Sequence, residues 1–196
     1  MPIYGSINKP SFTKQHTIIE FAIKMRQFRQ QQLLNNLQND KQLTAAMMES
    51  IAQQIANYHK DAPISYNNKT NHAICYPILE NFTCCLNIVT QQQDSKNLTT
   101  LENWSKTAYK KLQPFIIERN QHGFTKQCHG DLHLGNMAYI NNQVTIFDCI
   151  EFNSSFYWID TINDIGFFTM DLLAKHEPLA MIQFLNYYLS QSGDYQ

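Results

Sequence analysis

From residue 30 onward, apolar residues recur every three or four positions, the spacing that places them on one face of an α-helix. This pattern predicts helices at residues 33–37, 45–61, 76–89, 99–120, 158–173 and 179–189. Thr44 is a favourable N-cap for the second of these helices, and Pro63 stops it. Polar links are predicted at residues 64–73 and 91–97. The pattern therefore indicates a mainly helical chain.

Strand patterns occur in two places. Residues 3–5 and 17–25 are rich in β-branched and aromatic side chains, and the turn-like residues 8–11 between them predict a hairpin. Two strands alone are only marginally stable in water, so this hairpin needs a cover. The pair Asn141-Asn142 predicts a second hairpin, whose returning strand leads into Asp148. The predicted fold class is therefore α+β, mainly α.

The composition is that of a globular chain with a core. Hydrophobic residues make up 43% of the 196 residues and aromatic residues 12%, and a chain of this length can bury roughly 70% of its unfolded surface. The net charge of −1, with no stripe of Lys or Arg, gives no sign of a nucleic-acid partner. The five cysteines have no paired spacing and are interpreted as free thiols in a reducing compartment. Without a signal peptide or an apolar run of the ~20 residues that a membrane span needs, a cytoplasmic protein with no membrane partner is expected.

One polar segment, residues 128–136, carries the candidate chemistry together with Asp148. Asp131 is followed five residues later by Asn136, and Asp148 comes twelve residues after that. Phosphoryl transfer needs a carboxylate that positions the hydroxyl nucleophile and takes its proton, and an amide and a second carboxylate that hold Mg²⁺. The segment therefore predicts a phosphotransferase site that uses Mg²⁺ and ATP, with Asp131 as the base and with Asn136 and Asp148 as metal ligands.

The pattern His-x-Asp-x-x-x-x-Asn at residues 129–136 resembles the kinase catalytic loop, and Asp148 lies where the metal-binding Asp of D-F-G would lie. The sequence of residues 129–136, taken together with residues 147–153 and 164–172, is similar to that of the aminoglycoside phosphotransferase group of kinase-like enzymes. The similarity is strongest to a bacterial subfamily of which some members continue into a P-loop ATPase domain. This resemblance covers nearly the whole chain.

The resemblance implies a protein-kinase-like large lobe at residues 28–196, preceded at residues 1–27 by only the last strands of a small lobe and its hinge. Residues 21–28 would form the last small-lobe strand, and the chain is expected to be truncated at both ends. Ala22-Ile23-Lys24 is not a phosphate-binding V-A-I-K motif, because no Gly-rich loop precedes it, and Lys24 is expected to be a solvated strand residue. The residues whose backbone would meet the adenine of ATP are Met25, Arg26 and Phe28.

Two residues near the motif each have two interpretations. His133 stands where many protein kinases have a catalytic-loop Lys, so it either contacts the transferring phosphoryl group or makes a structural hydrogen bond to the loop backbone. Glu151 either belongs to the outer shell of the metal site or is a solvated surface carboxylate. His129 is expected to pack under Asp148.

Three further polar residues are interpreted as structural. His59, at the end of an apolar helix face, is expected to be packed and hydrogen-bonded. Asp164 is buried by its pattern, which is costly unless its carboxylate is satisfied, and the backbone N–H groups around His129 are its expected partners. Asp160 is a candidate for sharing this clamp.

A small molecule is the favoured acceptor. Gly130 precedes the base where protein kinases have Arg, and only eleven residues separate Asp148 from Asp160, too few for a peptide-docking platform. The alternative is a catalytically weak or inactive remnant, or a nucleotide-binding module that needs a partner chain, because the Gly-rich loop is missing. Self-association through the exposed hairpin of residues 1–25 is also expected.

Overall fold

The computed structural model describes residues 1–15, 17–24, 27–66 and 70–195, with the backbone alone for residues 70–78. It has the predicted α+β class, with 57% of the residues in helices and with small antiparallel sheets. The chain divides into two compact units, Met1–Gln30 and Gln31–Gln196. Among the described residues, no helix combines the length and the apolar character needed to cross a membrane.

The smaller unit is a three-stranded antiparallel sheet rather than a hairpin. Its strands are β1 (Pro2–Ser6), β2 (Lys9–Ser11) and β3 (Ile18–Phe21), in the order β2-β1-β3. The prediction of a turn at residues 8–11 is therefore wrong, since Tyr4 pairs with Ser11 and the turn lies at residues 7–8. Pro10 is tolerated because β2 is an edge strand, where its missing N–H breaks no ladder bond.

The strand predicted to continue to residue 25, and by resemblance to residue 28, ends at Phe21. Residues 22–24 and 27–28 form no strand. Beyond the pairing of Pro2 with Phe21, the described backbone contacts continue only between Met1 and Ala22, whose N–H donates to the Met1 carbonyl at 2.7 Å. Lys24 is exposed as expected, but it is not a strand residue.

The larger unit begins with a 3₁₀ turn at Gln30–Gln32 and is mainly helical. Its helices are α1 (Leu34–Asn39), α2 (Ala45–Asp61), α3 (Thr70–Ile88), α4 (Gln92–Gln121), α5 (Ser154–Tyr157), α6 (Thr161–Ala174) and α7 (Pro178–Ser192). Its strands are β4 (Thr125–Gln127), β5 (Met137–Ile140), β6 (Gln143–Ile146) and β7 (Trp158–Asp160). The predicted helices are present, but several boundaries differ.

Three predicted boundaries are wrong. Residues 70–73 and 92–97 are helical rather than polar links. At residues 92–97 the side chains are mostly exposed, and Gln and Lys are good helix formers that need no apolar partner there. Residues 158–160 form a strand instead of the start of α6, since pairing with β4 overrides the local helical pattern. The first residue of β4, Thr125, pairs with Asp160.

The core lies between α2 and α7 and continues to α6. Thr44 caps α2 as predicted, since its hydroxyl accepts a hydrogen bond from the Met47 N–H at 3.3 Å. Met48 and Ile51 of α2 are fully buried in one cluster with residues of α6 and α7. Within that cluster the rings of Phe168 and Phe184 meet edge to face at 4.7 Å. This core forms the support on which the polar loop after β4 rests.

Candidate active site

A tight hairpin places Asp148. Asn141 and Asn142 have φ values of 52° and 63°, as a two-residue type I′ turn requires, and the predicted hairpin of β5 and β6 is confirmed. The N–H of Phe147 then donates to the carbonyl of Asn136 at 3.0 Å. The end of the returning strand is thereby fixed beside Asn136, with Asp148 as the next residue.

Asp164 clamps the start of the polar loop, as predicted. This carboxylate is 1% exposed and accepts hydrogen bonds from the backbone N–H groups of His129 at 3.2 Å and Gly130 at 2.9 Å. His59 Nε2 lies 3.0 Å from the same carboxylate. Gly130 has φ 81°, and a Cβ there would meet the carbonyl oxygen of Phe156 at 2.5 Å. The loop therefore requires Gly at this position.

His59 is the packed, hydrogen-bonded residue that the sequence predicts. It is 3% exposed, and its Nδ1 lies 2.9 Å from the hydroxyl of Tyr188. The potential ligand atoms of His59, Cys128 and Asp164 lie within 4.8 Å of one another. Burial raises the pKa of the Cys128 thiol far above its usual range, with a further contribution from Asp164. The cluster is held together by the contacts of His59 with Tyr188 and with Asp164.

Asp131, Asn136 and His133 come together in the loop. The Asn136 amide nitrogen donates to the Asp131 backbone carbonyl at 3.1 Å and to the carboxylate at 3.0 Å. His133 Nδ1 accepts from the Gly135 N–H at 3.0 Å, so the proton of the neutral ring is on Nε2, which lies 3.5 Å from the Asp131 carboxylate. His133 thus makes the structural hydrogen bond to the loop backbone, and its ring also lies beside Asp131, the predicted base. The geometry is compatible with both interpretations of His133. The Asp131 side chain is 38% exposed and accessible to a substrate.

A pocket of about 540 Å³ opens at the Asp131 carboxylate. It is lined by Asp131, Asp148, Cys149, Ile150, Glu151 and Phe152. Asp148 and Glu151 are exposed, and among the described residues the Asp148 carboxylate accepts no hydrogen bond. His129 packs behind them, with its Nε2 2.9 Å from the Phe147 carbonyl. Three carboxylates therefore share one pocket, and its lining contains no basic side chain from the part of the chain that the structure describes.

Met25, Arg26 and Phe28 are the residues expected to meet adenine. Met25 and Arg26 lie outside the described residues. Phe28 belongs to the smaller unit, where it is partly buried. Their contact with a nucleotide stays a prediction.

The sequence interpretation missed a second clamp on the loop, formed by Asp171. This carboxylate of α6 accepts a hydrogen bond from the Leu134 N–H at 2.9 Å and pairs with the ammonium group of Lys175. Asp171 follows Asp164 by seven residues, which places both on one face of α6. The repeat of an acidic residue at that spacing within an apolar helix was the available signal.

Arg119 was also missed, and it corrects the prediction for Asp160. Arg119 is 8% exposed and makes two hydrogen bonds of 2.8 Å to Asp160 and two of 2.7 Å to Asp194. Asp160 also caps α6 by accepting from the Ile162 N–H at 2.9 Å. Its carboxylate is thus occupied and does not share the clamp made by Asp164. Burial alone would lower the pKa of Arg119, but hydrogen bonds to Asp194 and then Asp160 outweigh it and raise the pKa.

Comparison of the chain with protein-family models, with curated proteins and with solved structures gave no match. The function must therefore be argued from the residues and the geometry of the pocket around Asp131 and Asp148.

Proposed function

We propose that this chain is a phosphotransferase that uses Mg²⁺ and ATP and acts on a hydroxyl group of a small molecule. The observation that carries the proposal is the position of Asp131. Its carboxylate is oriented by the Asn136 amide, is accessible, and opens on the same pocket as Asp148. A general base must be both oriented and accessible to its substrate, and the Asp131 carboxylate is hydrogen-bonded and solvent-accessible.

The donor atoms around the pocket fit Mg²⁺. This cation prefers oxygen ligands and usually binds through one or two carboxylates together with substrate phosphates. Asp148 and Glu151 offer carboxylates in the lining of the pocket. Asn136 is buried behind this lining, with its amide nitrogen bonded to Asp131, so its proposed ligand atom is the amide oxygen. When bound, the ion would neutralise charge on the phosphates of the donor.

The protein groups then have distinct roles. Asp131 receives the hydroxyl proton while the acceptor oxygen forms its bond to phosphorus and the bond to the departing ADP breaks. The Nε2–H of His133 points at the same region and helps to orient the Asp131 carboxylate. Asp164, through the backbone N–H groups of the loop, keeps this arrangement rigid before the substrate arrives.

The segment between Asp148 and Asp160 favours a small acceptor. Its eleven residues contain the short helix α5 and most of β7. β7 is paired with β4, and the Phe156 carbonyl of α5 packs against Gly130. No long segment remains there to bind an extended peptide.

Replacement of Asp148 tests the metal assignment. Asp148→Ala should abolish the Mg²⁺-dependent part of ATP binding, because it removes the carboxylate that has no other partner among the described residues. Isothermal titration calorimetry with a non-hydrolysable ATP analogue, with and without Mg²⁺, measures this directly. The exposed Asp40→Ala is the matched control. Equal Mg²⁺-dependent affinity in Asp148→Ala and in the unchanged chain would remove Asp148 from the metal site.

A second candidate is a nucleotide-binding module with little turnover of its own, and the glycine distribution favours it. Gly5 is the only glycine before Gly123, so the sequence has no Gly-rich loop to stabilise phosphate charge. The smaller unit also exposes apolar side chains, including Phe21 at 69% and Ile23 at 87%. These exposed groups support the proposal that residues 1–25 associate with another chain or with a second copy.

Steady-state turnover separates the two candidates. We expect the purified chain to bind Mg²⁺-ATP but to turn it over far below the ~10 s⁻¹ typical of enzymes, because loss of one preorganised charge-stabilising group usually costs ~10²–10³-fold in rate. Release of ADP, followed with a coupled assay, gives the value. Turnover near the typical enzyme rate would show that this pocket is sufficient.

A further inference from the structure

Helix α4 carries an apolar stripe that faces solvent. Its residues are Leu101, Trp104, Ala108, Leu112 and Phe115. The four large side chains are 53%, 69%, 53% and 62% exposed in that order. Trp104 exposes most of an indole, which is unusual for a side chain with so much apolar surface. A stripe of this kind marks an interaction surface.

The stripe is symmetric about Ala108. Leu101 and Phe115 each lie seven residues from it, and Trp104 and Leu112 each lie four residues from it. If two α4 helices pair antiparallel about Ala108, Leu101 meets Phe115 of the other copy and Trp104 meets Leu112. Ala108 meets its own copy, and its small side chain permits a close approach of the helices. An isologous interface requires this kind of self-complementary surface.

A groove of about 980 Å³ continues the stripe at its C-terminal end, between α4 and α6. Its apolar walls are formed by Leu112 and Phe115 on one side and by Ile162, Phe167 and Met170 on the other. The symmetric pairing puts Trp104 of one copy beside Leu112 of the other copy. Leu112 lines the groove of its own copy, so Trp104 lies at the groove of its partner. A protruding aromatic side chain and an apolar groove thus occupy two-fold related positions on one surface.

Charge does not oppose this pairing. Lys106 and Lys110 are each two residues from Ala108, which places them about 200° around the helix and away from the contact. Lys111 lies at the edge of the stripe, where its long side chain can keep the ammonium group in water. The centre of the contact therefore contains only apolar side chains.

We propose that two copies of this chain form a symmetric dimer through antiparallel α4 helices, with Trp104 of each copy in the α4–α6 groove of the other. The paired stripe from Leu101 to Phe115 is ~21 Å long and each helix is ~10 Å wide, so the helix contact alone is smaller than a typical specific interface, and the two Trp104 side chains in their grooves supply the rest of the buried area. The expected dissociation constant is therefore in the micromolar range. This inference does not depend on the proposed function.

Cross-linking tests the geometry. In the full chain, Cys75, Cys84, Cys85 and Cys149 are first replaced with Ser, which leaves only the buried Cys128. Ala108→Cys should then give a covalent dimer with a short thiol-specific cross-linker. Leu179→Cys, on α7 and 74% exposed, should not. The double variant Leu101→Cys/Phe115→Cys should join position 101 to position 115, as identified by mass spectrometry of the linked peptides. Links that join 101 to 101, or no dimer from Ala108→Cys, would overturn the proposal.

Sedimentation equilibrium tests the energetics. Trp104→Asp should raise the dimer dissociation constant by roughly 30-fold for each of two copies, or ~10³-fold in total, since buried interface Trp residues are typical hot spots. Leu179→Asp should leave it unchanged, and circular dichroism checks that both variants stay helical. A chain that is monomeric at hundreds of micromolar contradicts the proposal. So does a dimer that Trp104→Asp preserves and Phe21→Asp disrupts, because that result places the contact on the N-terminal sheet.

Discussion

Asp131→Asn should lower any measurable phosphotransfer or ATP hydrolysis by ~10²–10⁴-fold, the usual value of a positioned proton acceptor. The amide has nearly the same shape as the carboxylate, and its oxygen can still accept the 3.0 Å hydrogen bond from Asn136. The loop should therefore keep its structure, while the group that takes the hydroxyl proton is lost. The measurement is initial rate against a panel of small hydroxylated acceptors, with water as the reference acceptor.

Two further variants are measured beside Asp131→Asn: a control at an exposed carboxylate and a test of His133. Asp40→Asn changes an exposed carboxylate far along the chain from the loop and should leave the rate unchanged. His133→Ala separates the two interpretations of that residue. A loss in kcat with Mg²⁺-ATP affinity unchanged indicates contact with the transferring group or the base, whereas a loss of thermal stability alone indicates the structural bond to Gly135. Near-normal turnover in Asp131→Asn would exclude this residue as the base.

Arg119→Leu should reduce the free energy of unfolding by ~3–5 kcal/mol, the usual cost of removing one partner from a buried ion cluster. Asp160 and Asp194 are each 5% exposed, and both bind the guanidinium through two oxygens. Removing Arg119 leaves two buried carboxylates close together without a cation. The same change also removes the packing of the guanidinium over the Phe124 ring, at 4.1 Å. Urea denaturation monitored by Trp fluorescence measures the loss.

A charge-neutral version of the cluster is the decisive comparison for Arg119. Arg119→Leu combined with Asp160→Asn and Asp194→Asn should recover much of the stability, because replacing a whole buried ion cluster is often close to neutral. Lys106→Leu, a half-exposed cation of α4, should change stability by no more than ~0.5 kcal/mol. If Arg119→Leu alone were as mild as Lys106→Leu, the cluster would contribute little to the fold.

Local signals explain most of what the sequence predicted correctly. The turn at Asn141-Asn142 and the cap at Thr44 are decided by neighbouring residues, and both are confirmed. Asp164 was assigned correctly because a carboxylate within an apolar helix has to find donors nearby. These inferences need only chemistry and spacing along the chain.

The failures have a different physical origin. The pairing of Arg119 with Asp194 joins residues 75 positions apart, and no local pattern indicates which buried charge will find which partner. Strand β2 has three residues and contains Pro10, so it is too short for a periodic pattern. The N-terminal part of α4 is mostly exposed and therefore needs no apolar periodicity, which is why residues 92–97 resemble a polar link.

The packing of α2 against α7 has a consequence for the rate of folding. The two helices are far apart in the sequence, and the hydrogen bond between His59 and Tyr188 joins residues 129 positions apart. A 17-residue helix is marginal in water until its apolar face is covered, so α2 gains stable helicity only when α7 docks. The entropy of closing this long loop is lost before the contact is made. The larger unit should therefore refold more slowly than helical domains whose contacts are mainly local, and α2 and α7 should become protected from hydrogen exchange together.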